Sequence, residues 1–167
     1  MTVTVSTNSV TWFGNGATTV FSYSFAMPAA ANATLLFTTA AGVQTTVAAS
    51  AYSLTGVGQP TAGGGPQGGT LTYAPGGLPI PAGSLLTLMR TVPLTQPDSL
   101  SNQGGLWPLV IEGADDNLEM QVQQISNVAN RAIIVNPADP ALTPLPPAAA
   151  RASQYLVFDI YGNPTVG

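Results

Sequence analysis

The sequence contains no cysteine and no histidine, and its three basic residues are all arginines, so lysine is absent as well. Without thiolate or imidazole there is no nucleophile, base or soft metal ligand of the familiar kinds, and without lysine there is no Schiff base. Charge is scarce throughout: only 6% of the 167 residues carry it, for a net charge of −4, and none of it precedes Arg90. A basic nucleic-acid footprint is thereby excluded from the first half, because phosphate binding requires Lys or Arg to displace counterions. An enzyme would have to work with Asp, Glu, Tyr, Ser, Thr and Arg, with every carboxylate beyond Arg90, and none is expected; nor is a cofactor. No stretch is long and apolar enough to span a bilayer, and the opening MTVTVSTNSV has neither the basic nor the apolar region of a cleaved signal, so membrane insertion and signal-directed export are not expected. So little charge leaves sheet edges unprotected in a free monomer, which points to permanent assembly.

What is present reads as one domain with an appendage. Over residues 1–92, TVTVST, TTVFSYSF, TLLFTT, GVQTTVA, AYSL, TLTYA and SLLTLMRTV follow one another as short strands. In the second of these, Phe21, Tyr23 and Phe25 share one face and Ser22 and Ser24 the other. Gly14-Asn15-Gly16 and Ala41-Gly42 are suited to closing tight hairpins, and the run from Gly56 to Gly69 is too rich in Gly and Pro for a strand interior. The expected fold is mainly β: an antiparallel β-sandwich, then an extended connection over 93–110, one amphipathic α-helix over 111–134, and an extended Pro-rich C-terminal arm over 135–167 with a short terminal strand and a turn. Leu156, Phe158 and Ile160 alternate in that strand and are expected to bury one face.

The helix is marked by Ile111, Leu118, Ile125 and Ala132 at intervals of seven, with Val122 and Ala129 interleaved at three-four spacing. These six residues form one apolar stripe and the candidate oligomer interface. Asp115 interrupts the seam one heptad before Val122, so packing on the chain's own sandwich or on neighbouring copies is favoured over a free-standing coiled coil. Gln121 lies off the stripe and is expected to tolerate replacement. Glu112, Asp115, Asp116 and Glu119 form the one acidic cluster, read as acids of a first helical turn that complement the helix dipole, with Arg90 and Arg131 as counter-charges to Glu112 and Asp116. Divalent-ion binding and carboxylate-only hydrolysis at Glu112 or Asp116 are the weaker readings of this cluster. The glycine-rich run lacks the Gly-Lys-Ser/Thr ending of a phosphate loop and is read as a long hairpin turn or as a fit against a neighbouring subunit where Cβ atoms would clash. Trp12, Trp107, Tyr23, Tyr52 and Tyr73 suit core or interface packing better than a sugar-stacking platform.

Four segments in order carry a resemblance: TWFGNGATTVFSYSFAMP, AYSLTGVGQP, IPAGSLLTLMRTVPLTQPDSL and IEGADDNLEMQVQQISNVANRAI. Together they are similar to the N-terminal, particle-anchoring region of bacteriophage tail fibre and tailspike proteins, and LPPAAARASQYLVFDIYGN resembles the Pro-linker and Phe-Asp-x-x-Gly-Asn segment that follows it there. Glu112, Asp116, Leu118, Met120, Gln123 and Arg131 fall where the family's helix pattern puts its Glu, Asp, Gln and Arg-Ala residues. The resemblance implies a structural virion protein of the phage tail. It implies a homotrimeric β-domain that docks a fibre or spike onto an adaptor, nozzle or baseplate protein and carries a distal fibre or receptor-binding part. Nothing in these residues resembles the family's receptor-binding or glycan-degrading region, so those activities are not expected here. The alternatives are a carbohydrate-binding adhesion module of β-sandwich type and, within the virion class, a head fibre.

Overall fold

The computed structural model describes residues 3–60, 66–96, 108–132 and 138–167, which fall into two compact units, 1–129 and 130–167. The centre of the glycine-rich run, most of the connection over 93–110 including Trp107, and positions 133 and 134 of the expected helix lie outside the described residues.

The fold is mainly β, with antiparallel strands in three sheets and one long helix. In the first unit, β1 (Ser9–Phe13), β7 (Leu85–Arg90), β3 (Ala33–Thr38) and β4 (Gln44–Val47) lie side by side in that order. A second sheet has the order β2 (Val20–Tyr23), β6 (Gly69–Tyr73), β5 (Tyr52–Leu54). Registers explain the core. Val10, Leu88, Leu35 and Val47 form one cross-strand row, and Trp12, Leu86 and Phe37 another. In the second sheet Phe21, Leu71 and Leu54 are aligned. All of these side chains join a single apolar cluster with Tyr23, Phe25, Met27, Tyr73 and Ile80. The expected face of Phe21, Tyr23 and Phe25 is buried, and Ser22 and Ser24 are exposed.

Two expectations about the N-terminal strands are corrected. Residues 3–7, the described part of TVTVST, are not a strand; the first strand among the described residues is Ser9–Phe13. Their alternation does not enter a ladder because their backbone finds side-chain partners instead: Val3 N–H donates to Asp116 Oδ1 at 3.1 Å, Thr4 N–H to Gln67 Oε1, and Val5 C=O accepts from Gln123. Gly14-Asn15-Gly16 closes no hairpin, since β1 and β2 belong to different sheets; it carries the chain from one to the other. Gly14 passes so close to the turn after Ile80 that a Cβ there would meet Pro81 O at 2.0 Å. Ala41-Gly42, by contrast, does close a hairpin, with β3 and β4 paired on either side.

The glycine-rich run joins β5 to β6, which pair antiparallel, in agreement with the long-turn reading. Gln59 clasps it from within, accepting from Gly68 N–H at 2.7 Å and donating to Gly68 C=O at 3.0 Å. Gly68 has φ +98°, and a Cβ would meet Tyr23 O at 2.2 Å. Gly68→Ala therefore combines an unfavourable backbone conformation with a backbone clash, and is expected to cost about 3 kcal/mol, read as a lower urea midpoint.

In the second unit, residues 141–147 have neither helix nor strand, and a four-residue helix, Ala148–Arg151, begins as soon as the prolines end. The terminal strand has a partner: Leu156–Phe158 pairs with Pro164–Val166 in a hairpin, where one strand and a turn were expected. The DIYGN segment is its turn. Asp159 Oδ1 accepts from Tyr161 N–H at 2.8 Å and Asn163 N–H at 2.9 Å, and these backbone bonds, that from Asn163 foremost, hold the carboxyl below its ordinary pKa. Leu156, Phe158 and Ile160 remain exposed in the chain, so the expected burial of that face does not occur within it.

Candidate oligomer interface

The helix α1 spans Pro108–Ala129, beginning one turn before and ending short of the expected 111–134. Proline suits a first helical position, where its missing N–H is not needed, and this moves the start upstream of the apolar repeat. Ala132 consequently lies past the helix, exposed beyond Ala129. The earlier start also corrects the reading of the acids. None lies in the first turn; Glu112, Asp115, Asp116 and Glu119 follow deeper in the helix, past the free N–H groups that an interaction with the dipole requires.

The residues of α1 that are buried are Asp116, Met120 and Gln123. They lie on one side, with Asn117, Gln121, Gln124 and Asn127 beside them, and this amide-rich side grips the first unit's backbone. Gln124 Oε1 accepts from Val92 N–H at 2.9 Å, Gln121 Nε2 donates to Pro93 O at 3.1 Å and to Thr95 O at 2.9 Å, and Asn127 Nδ2 donates to Ser9 Oγ. Gln121 is thus a tether for the chain leaving β7, which corrects the expectation that it tolerates replacement.

At the centre of this contact is Arg90. Strand alternation puts it on the core face with Leu86 and Leu88, and it is 1% exposed. Its Nη1 donates to Ala26 O at 3.0 Å and its Nη2 to Gln123 Oε1 at 2.7 Å; Gln123 Nε2 in turn donates to Val5 O at 3.0 Å and Glu119 Oε1 at 3.1 Å. Asn8 and Arg90 also exchange backbone and side-chain bonds, fixing the N-terminal segment beside β7. Burial pulls the guanidinium down to about 10, and the charge of Glu119 works against that pull. The expected pairing of Arg90 with Glu112 or Asp116 is replaced by this arrangement: Asp116 is buried and takes Val3 N–H, and the carboxylate whose charge reaches Arg90 is Glu119. Glu112 is half-buried and Arg131 is exposed beyond the helix.

Opposite the buried side lies the stripe. Met120 and Ala129 are nine residues apart, about two and a half helical turns, and so point in opposite directions. Ile111, Leu118, Val122, Ile125 and Ala129 accordingly face away from both sheets, with Leu118 at 58%, Val122 at 51% and Ile125 at 56% exposure. The helix does pack on its own domain, but through its polar side, the reverse of the usual arrangement of an amphipathic helix. Covering the surface still exposed on each of Leu118, Val122 and Ile125 would contribute on the order of 1 kcal/mol per residue.

Of the aromatic residues weighed as a platform, Trp12, Tyr23, Tyr52 and Tyr73 are among the described residues, and these four serve packing instead. Tyr23 and Tyr73 are buried, Tyr52 is half-buried, and Trp12 packs on Phe21 with ring centroids 5.2 Å apart. Tyr23 donates to Thr55 O and Tyr52 to Ala33 O. Burial raises the pKa of both phenols. Below about 10 both states hold these protons; as pH climbs through the raised values only the unfolded phenols ionise, so stability is lost on the alkaline side. For Asp159 the sign is opposite, its contribution being present above the unfolded value and lost as pH falls through the depressed one. Urea midpoints are therefore expected to stay level from about pH 5 to 9 and to fall outside that range. A step inside it would reveal a buried or coupled group that titrates between those limits.

Among the described residues no three His, Cys, Asp or Glu side chains are placed to hold a metal ion, and no helix is long and apolar enough to cross a membrane. No family model and no curated protein matches this sequence.

Proposed function

We propose that this chain is a structural virion protein, the N-terminal part of a phage tail fibre or tailspike, which anchors it to an adaptor, nozzle or baseplate protein of the tail as a homotrimer. The two larger sheets are the layers of an antiparallel sandwich in this reading, and the residues after the helix are the arm leading toward the distal fibre. The observation that carries the proposal is the outward apolar stripe of α1, whose surface is left uncovered while the amide side is spent on the chain's own backbone. A face of that kind, on a chain with so little charge, is suited to permanent burial between copies. The heptad spacing of Leu118, Val122 and Ile125 favours helices side by side over a flat contact. The four ordered segments that resemble the anchoring region supply the choice of virion and tail.

Locating the chain in a reconstruction of intact particles tests this reading. Density for three copies around a threefold axis at the base of a fibre or spike is expected. Its location on the head, or as single copies, would refute the tail-anchor assignment.

A further inference from the structure

We infer that Arg90 and Gln123 are positioning residues for the oligomer interface: without touching it, they determine which face of α1 is offered to other copies. The inference rests on the homotrimer reading and adds to it the device that sets the helix's rotation.

Apolar burial alone would seat α1 the other way round. The side turned inward buries a single apolar side chain, Met120, whereas Ile111, Leu118, Val122, Ile125 and Ala129 are turned out. What opposes a half-turn roll is a cation that cannot leave. Arg90 is fixed by the register of β7, between Asn8 and Ala33, with its side chain on the core face. Its guanidinium needs acceptors, and beyond Ala26 O the one supplied at 2.7 Å is Gln123 Oε1. A rolled helix would set Leu118, Val122 and Ile125 against that guanidinium, leaving a buried charge without its acceptor. The same roll would strip Val5 O, Val92 N–H, Pro93 O and Thr95 O of their glutamine partners. The polar contacts therefore act as a rotational lock, and the apolar stripe faces outward as its consequence.

Position 123 permits a test at nearly constant side-chain length. Gln123→Glu keeps an acceptor for Arg90 and Gln123→Met removes it. Val122→Cys supplies the chain's only thiol, at the centre of the stripe. Oligomer dissociation is measured by sedimentation over a concentration series, and maleimide labelling of the introduced thiol is measured on dilute monomers. Gln123→Met is expected to weaken association at least tenfold, about 1.4 kcal/mol, and to slow labelling as the stripe turns inward, while Gln123→Glu, which keeps the acceptor for Arg90 but gives up the donor to Val5 O and Glu119 Oε1, is expected to lose at least about threefold less than Gln123→Met on both readouts. Identical behaviour of the Met and Glu variants would overturn the inference. Should Gln123→Met fail to fold, Arg90→Met with Gln123→Met removes cation and acceptor together; labelling at the parental rate in that folded variant would likewise overturn it. A parent that is monomeric at every concentration, yet labels rapidly where the Met variant labels slowly, would refute the trimer and leave the rotational lock standing.

Discussion

Leu118→Asp is expected to take the proposed trimer apart into folded monomers. Leu118 is more than half exposed on the chain itself and lies opposite the side of α1 that grips the sheets, so a carboxylate there remains solvated in the monomer and changes its stability by about 0.5 kcal/mol or less. In the proposed trimer the same carboxylate would be closed between copies, where an unpaired charge costs about 3 kcal/mol or more. That difference weakens association more than about a hundredfold. Ile125→Asp is expected to act alike, whereas Thr46→Asp, at an exposed position on β4, should change little. Lowering the pH provides an internal control. The introduced carboxyl has a raised pKa in the assembly, so the associated form binds the extra proton and association recovers on the acid side. Sedimentation of both variants at neutral and acid pH reads the outcome. Persistence of the oligomer at neutral pH would show that the stripe is not the interface, and loss of the monomer's own fold would show that it packs internally.

The strand pattern was largely legible because the inward residues alternate over short, glycine-punctuated segments, as in the face of Phe21, Tyr23 and Phe25. TVTVST misled because alternation says nothing about which partner satisfies a backbone, and here Asp116, Gln67 and Gln123 take the place of a neighbouring strand. The apolar stripe was legible as a period but not as a direction. Its usual meaning, the side that packs on the domain, was reversed by a feature that the sequence does contain: the opposite side of the helix carries Asn117, Gln121, Gln123, Gln124 and Asn127, and no lysine. A solvated helix face is ordinarily rich in Lys and Glu, whereas amides are suited to fixed bonds with backbone groups. Arg90 was likewise readable from parity. Leu86, Leu88 and Arg90 share a face, so the strand that supplies core leucines also delivers the cation inward. Its partner was not readable, because Gln123 is 33 residues away and reaches it only through the docking of α1.

That buried cation makes Arg90→Ala the substitution with the largest expected loss of fold stability, about 3–5 kcal/mol. Truncation leaves Ala26 O and Gln123 Oε1 without their donor, and it empties the space of a side chain that is 1% exposed. Arg90→Met should cost less, about 1–3 kcal/mol, because it refills that volume and ends the expense of holding a charge away from water while still leaving two acceptors unmatched. The pH dependence separates this account from one based on a titrating ion pair. With its pKa pulled down only to about 10, the guanidinium stays charged at and below neutrality in the folded and unfolded states alike. Because the folded value lies below the unfolded one, any slope due to Arg90 would appear only above about pH 10, as a gain in stability set against the loss from Tyr23 and Tyr52. From about pH 5 to 9 the urea stability of Arg90→Ala should therefore run parallel to that of the parent, displaced downward by a constant amount. Convergence of the two curves within that range would mean that Arg90 is opposed by a carboxylate losing its charge there, and that its hold on α1 is an ion pair instead of the Gln123 bond.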